Sequence, residues 1–247
     1  TPKPSSAASD VYKRQELLFR LIRNSIAGCP KGGNVLGSTL EHPASRSAAT
    51  HWARVFDKPY LSVTHNSDTG SVDAAAYGKL VTPETQVATI LHTSPVTGMG
   101  VNVAAVSKAI RVVAPNCFII VDGIQHAAHG LIDIESYGID GYVVSPYKMF
   151  SRHGYGVAWV SDRLTAVSNE QLKDGPTQNW ELGTRDTGSY ATMSDVVNYL
   201  DWLGSELTKE TERRARLVVA GQAIKAHEKM LTDTAVSYTH LTLPTKA

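Results

Sequence analysis

Cysteine is scarce in this 247-residue chain: only Cys29 and Cys117 are present. Two thiols build neither a disulfide framework nor a thiolate metal cluster, so a reducing, cytoplasmic setting is expected. An excess of charge is also lacking. The 24 basic and 23 acidic residues leave a net charge of +1, which argues against a nucleic-acid surface or a binder of polyanions. No apolar run approaches the length that spans a membrane, and the start is not the charged-then-apolar pattern of a signal peptide. There is no GxGxxG opening a helix after a strand and no GxxxxGK[ST], so a nucleotide-dependent α/β enzyme has no support. Without a GxSxG, neither has a serine hydrolase. The nine histidines show no ligand spacing. His126 and His129 come closest, and both are expected as loop or surface residues, with no metal bound.

What the chain does have is globular composition, 42% hydrophobic and 19% charged, and an alternating order of short apolar runs and helical patterns. The runs at 34–40, 60–65, 87–93, 117–122, 142–145 and 156–161 read as strands. Helical spacing marks 16–26, 43–56, 73–81, 102–114, 189–207 and 209–231, and Pro43 suits a first helical turn. In 189–207 the residues Tyr190, Met193, Val197, Leu200 and Leu203 form one stripe. Strand, helix and strand repeated in this way predict an α/β fold, a mainly parallel sheet flanked by helices on both faces. The wholly apolar "FIIV" and "YVV" fit its centre. Cys117 opens a core strand and is expected as a small buried hydrophobe rather than a nucleophile. The ends differ in character. "TPKPSSAASDVYKRQ" has no clear period, and "AVSYTHLTLPTKA" follows a helical pattern that stops abruptly. Both resemble translated read-through of sequencing adapters, and residues 1–15 and 235–247 are expected to be non-native tails on a protein cut at both ends.

In open α/β sheets, ligands sit beyond the carboxyl ends of the strands. Asp122 ends one apolar run, Lys148 lies three residues past another, His42 follows "STLE", and "HTSPVTG" follows "ATIL". A lysine at a buried strand end can form a Schiff base. A carboxylate at a neighbouring strand end can pair with a protonated pyridine nitrogen. Together they match what pyridoxal phosphate requires: an anchor for its aldehyde and a partner for its ring.

The segment "VDGIQHAAHGLIDIESYGIDGYVVSPYKMFSRHGYGVAWV" resembles the cofactor segment of class V aminotransferase-fold enzymes, the fold type I group that includes cysteine desulfurases, selenocysteine lyases and kynureninases. The likeness runs from about residue 34 to 205 and rests on Asp122, Gln125, Ser145 and Lys148, followed by Gly154 and Gly156. "STLEHPAS" resembles the Glu-His segment of that family, and "WELGTRDTGSYATMSDVVNYL" its Gly-Thr turn before a long helix. The resemblance implies a pyridoxal 5'-phosphate enzyme acting on an amino acid, most like a cysteine desulfurase or lyase. A class V aminotransferase, epimerase or kynureninase-like hydrolase remains open, as does a non-catalytic homologue or scaffold. It further implies that Lys148 carries the Schiff base and moves the Cα proton, that Asp122 holds the ring nitrogen, and that Gln125 reaches the ring oxygen. His42 covers the ring face, and Ser145, Tyr147 and Thr184 reach phosphate, Thr184 in the partner subunit of a homodimer. Residues 16–207 are then the cofactor-binding large domain, and 208–234 a helix leading towards a small C-terminal domain. Three departures stand out. Pro95 occupies the place of a hydrogen-bonding Asn, Tyr147 stands where desulfurases commonly have His, and the upstream Gly/Thr phosphate turn is absent.

Overall fold

The computed structural model describes residues 8–10, 13–168, 170, 172–174, 180 and 186–242. Seven strands form one sheet: β1 (Ala8–Asp10), β2 (Asn34–Ser38), β3 (Tyr60–Val63), β4 (Thr85–Leu91), β5 (Phe118–Asp122), β6 (Gly141–Val144) and β7 (Gly156–Val160). Their order across the sheet is β1-β7-β6-β5-β4-β2-β3. Strands β3, β2, β4, β5 and β6 are parallel, whereas β7 is reversed and pairs antiparallel with both β6 and the edge strand β1. The six strands read from the sequence all occur, each within two or three residues of its expected bounds.

Helices α1 (Lys13–Ala27), α2 (Pro43–Val55), α3 (Ala74–Leu80) and α4 (Val103–Val113) alternate with the strands. Two four-residue helices follow, α5 (Ile134–Tyr137) and α6 (Asp162–Thr165), then the long α7 (Thr187–Leu207) and α8 (Arg213–Thr242). Neither short helix was read from the sequence, since one turn is too brief to show a period. Ala8–Asp10 pairs with β7 as an edge strand, and α8 continues through residue 235 to Thr242.

The sheet is covered on both faces, and the alternation along its central strands shows how. Phe118 and Ile120 of β5 face a core built with Leu17, Leu21, Ile22 and Ile26 of α1 and Ala48 and Ala49 of α2. Ile119 and Val121 face the opposite core, with Tyr77 of α3, Val106 and Ile110 of α4 and Val196 of α7. Each fully buried Leu or Ile contributes about 1.5–3 kcal/mol, so the two layers hold the sheet rigid beneath its carboxyl edge. Cys117 lies in the second core at 1% exposure, and burial pushes its thiol up to about 12. On α7, Met193 and Leu200 of the expected stripe pack against this core, and Val196 is buried there where Val197 was expected. At Gly204 a Cβ would lie 2.1 Å from the Arg216 carbonyl oxygen of α8, so the glycine permits the close approach of the two helices.

Candidate active site

Parallel strands β2, β4, β5 and β6 present their carboxyl ends along one edge, and the polar residues gather there. Past β2, the chain turns through Thr39–Glu41 to His42, the N-cap of α2. His42 Nδ1 accepts the Ala44 N–H at 3.1 Å, which satisfies one of the open donors of the helix and fixes the ring. One turn on, Ser45 Oγ donates to Asp122 Oδ2 at 2.7 Å. The Ile124 N–H donates to the other oxygen, Oδ1, at 3.1 Å. Asp122, the last residue of β5, is thereby held at 3% exposure by two directed bonds.

Past β6, Pro146 opens a 3₁₀ turn over Pro146–Lys148, in which the Lys148 N–H donates to the Ser145 carbonyl at 2.9 Å. The turn swings Lys148 back towards β5, where its Nζ donates to Gln125 Oε1 at 2.5 Å. His42, Asp122, Gln125 and Lys148 line one small, partly open cleft. Leu91 and Ile124 supply apolar wall, and Pro95 lies against it where an amide was the alternative. Thus four of the seven expected site residues share one cavity. Ser145 is buried and lies outside that lining, and the Tyr147 ring stacks on His153 with centroids 4.4 Å apart. Thr184 lies outside the described residues.

Behind the cleft, His92 and His126 stack with ring centroids 3.4 Å apart. His92 Nδ1 meets the Tyr142 hydroxyl at 2.8 Å, and His126 Nδ1 meets Thr93 Oγ at 3.0 Å. Burial, reinforced by the adjacent His126 ring, lowers His92 to about 3; burial also lowers His126. His126 and His129 both lie in the loop expected of them: His126 is half-buried by this stacking, whereas His129 is exposed and pairs with Glu228 at 2.6 Å. Among the described residues, no group of three or more His, Cys, Asp or Glu could hold a metal ion. None of the described helices is long and apolar enough to cross a membrane.

The family model for class-V aminotransferases matches residues 17–237. The chain belongs to the class-V aminotransferase family. Among curated relatives, a probable cysteine desulfurase of Xylella fastidiosa is 26% identical over 212 residues, covering 78% of this chain and 50% of that protein. Another, from Mycoplasma genitalium, is 35% identical over 89 residues, 36% of this chain and 22% of that one. Among solved structures, a cysteine desulfurase of Escherichia coli superposes with a TM-score of 0.71 at 20% identity, covering 83% of this chain and 57% of that one. One from Thermococcus onnurineus gives 0.68 at 16% identity, with 81% and 53% covered. At these identities the likeness shows the fold of a class-V large domain. The chain spans half or less of the length of these two curated relatives.

Two residues at this class-V site escaped the sequence reading. Ser45 sits three positions after His42, the spacing that places both on one face of a helical start, and that was its legible signal. Glu41 was visible only as part of the Glu-His segment. Nothing in the spacing showed that its side chain would turn inwards.

Proposed function

We propose that this protein is a pyridoxal-phosphate-dependent enzyme acting on an amino acid, with Lys148 as the residue that holds the cofactor. One observation carries the reading: the Lys148 amine and the Asp122 carboxylate, which come from different strand ends, line the same cleft with Gln125 and His42. That donor set fits the group. An amine suits an aldehyde, a buried carboxylate suits a pyridinium nitrogen, and a ring-bearing helix cap suits the face of a flat heterocycle. When bound, pyridoxal phosphate supplies an electrophilic carbonyl and an electron-withdrawing ring. The rest is the work of this chain. Ser45 and the Ile124 N–H orient Asp122, while Gln125 accepts from Lys148 Nζ and keeps the free amine over the cleft, where the cofactor would meet it. Lys148 is the base that moves the proton at the substrate Cα. Ser145, Tyr147 and Thr184 are assigned to phosphate, Thr184 across a homodimer, and the two free cysteines accord with a cytoplasmic enzyme.

Desulfuration of L-cysteine is the first reading of the reaction, supported by the names of the relatives. A second class-V chemistry (aminotransfer, epimerisation or kynureninase-like hydrolysis) is favoured by Pro95 lining the cleft and by Tyr147 before the lysine. A non-catalytic scaffold would have no use for this donor set. The test is to add pyridoxal phosphate, follow the visible absorbance, reduce with borohydride and map the peptides. The adduct is expected on Lys148 and absent from Lys148→Ala. An adduct at another lysine, or none, overturns the assignment. Sulfur release from L-cysteine then separates the two reactions.

A further inference from the structure

Glu41 is 4% exposed and lies in the turn between β2 and α2, directly before His42. Its Oε1 accepts the Ser38 N–H at 3.0 Å and the Thr89 hydroxyl at 2.5 Å, so it ties the end of β2 to β4. Its Oε2 is buried with no hydrogen-bond partner, and so is the hydroxyl of Tyr60 on β3. Gly37 makes this polar chamber possible. A Cβ there would lie 2.4 Å from the Tyr60 hydroxyl, 2.8 Å from Thr89 Oγ and 3.0 Å from Glu41 Oε1. The same turn delivers two contacts to the cleft, the His42 ring and the bond from Ser45 to Asp122.

A carboxylate with one oxygen buried and unpaired is a costly arrangement, and taking up a proton relieves it. Oε1 already accepts two hydrogen bonds, so Oε2 is the atom left to carry that proton. Several charged or titratable groups act on Glu41. Arg46 of α2 favours the ionised form, as do the bonds from Thr89 and Ser38, while Asp122 of β5 opposes it. The hydroxyls of Tyr60 and Tyr77 are pushed up by burial and by Glu41, so they bring no negative charge of their own. Burial is the largest influence and raises the Glu41 carboxyl to about 7.

We propose that Glu41 is a positioning residue, which fixes the turn bearing His42 and the start of the helix bearing Ser45, and which in its protonated form adds no second negative charge beside Asp122. What His42 and Asp122 do for the reaction rests on the cofactor reading above, but the test does not need the cofactor.

Isotope-edited infrared spectra of the chain without cofactor should show a protonated glutamic carboxyl at pH 6. It should disappear with a midpoint near pH 7 and be missing from Glu41→Gln. No such band in the wild type, or its persistence in Glu41→Gln, overturns the neutral acid. Positioning is read separately from the Ala44 amide proton, which His42 Nδ1 accepts. Its nuclear magnetic resonance shift should survive in Glu41→Gln and move in Glu41→Ala. Should Glu41→Ala not fold, Thr89→Val removes the donor to Oε1 and should move the same signal. An Ala44 signal that stays in place in a folded Glu41→Ala or Thr89→Val chain overturns the positioning role. If Lys148 proves to take up no cofactor, these readouts still stand or fall on their own.

Discussion

Ser45 Oγ donates to Asp122 Oδ2 at 2.7 Å, so a hydroxyl on the first turn of α2 orients the carboxylate that ends β5. The two residues are 77 positions apart in sequence. Strand β4 lies between β2 and β5 in the sheet, so the bond crosses over one strand end to close the cleft on that side. It makes α2 part of the site twice over, through the His42 cap and through Ser45.

Replacing Ser45 by Ala should therefore act on the site and on stability together. It leaves a buried acceptor short of a partner, at a cost of about 1–3 kcal/mol. Denaturant unfolding should show that loss, and titration with pyridoxal phosphate should show weaker uptake. Thr50→Ala is the control, because its hydroxyl bonds only backbone carbonyls on the exposed side of the same helix. Equal effects from the two variants would count against a role for Ser45 at Asp122.

The stacked imidazoles predict a pH dependence of stability. His92 takes its proton near pH 3 when folded, against an ordinary value of 6.5. Between those values the unfolded chain holds the extra proton. The contribution of neutral His92 is thus complete above pH 6.5 and is lost as pH falls towards 3, with a slope of up to about 1.4 kcal/mol per pH unit. Glu41 works in the opposite sense, since its raised carboxyl favours the folded chain below 4.5 and loses that contribution as pH rises through about 7. Comparison with His92→Gln isolates the first effect. Between pH 6.5 and 5, wild-type stability should fall more steeply than that of the variant.

The strands and the mainly parallel sheet covered on both faces were legible because each depends on local pattern, whereas Asp122, Gln125 and Lys148 were picked out as a set by the resemblance to class V enzymes. Period-2 and wholly apolar runs mark strands, and a polar residue at a strand end has few places to go. What was not legible depends on approach between distant segments. The close approach of α7 to α8 depends on Gly204 meeting Arg216, and of two adjacent valines it is Val196 that is buried. His126 reads as a loop residue until His92, 34 positions earlier, is laid against it. Glu41 shows in the sequence only as part of a Glu-His segment, and its burial depends on Gly37 leaving room for it beside Thr89 and Tyr60.

Asp122 and Asp140 offer a last contrast, because both are buried carboxylates on the central strands but at opposite edges of the sheet. Asp140 precedes β6. Its Oδ2 accepts from Arg111 at 2.9 Å, from Arg163 at 2.7 Å and from the Ile119 N–H at 2.9 Å, and Ser161 donates to its Oδ1 at 3.0 Å. These bonds join α4, β5 and the start of α6 at the amino edge, away from the cleft. Arg111 and Arg163 reach water and are not stranded by the loss of Asp140, but the buried Ile119 N–H loses its acceptor, so Asp140→Ala should cost about 1–3 kcal/mol of stability. At a temperature where the variant is still folded, it should take up pyridoxal phosphate as the wild type does. Asp122→Ala should do the reverse, keeping most of the stability and losing turnover. Calorimetry and cofactor titration on both variants check the separation. If Asp140→Ala weakens cofactor binding while folded, the division of the sheet into a functional edge and a structural edge fails.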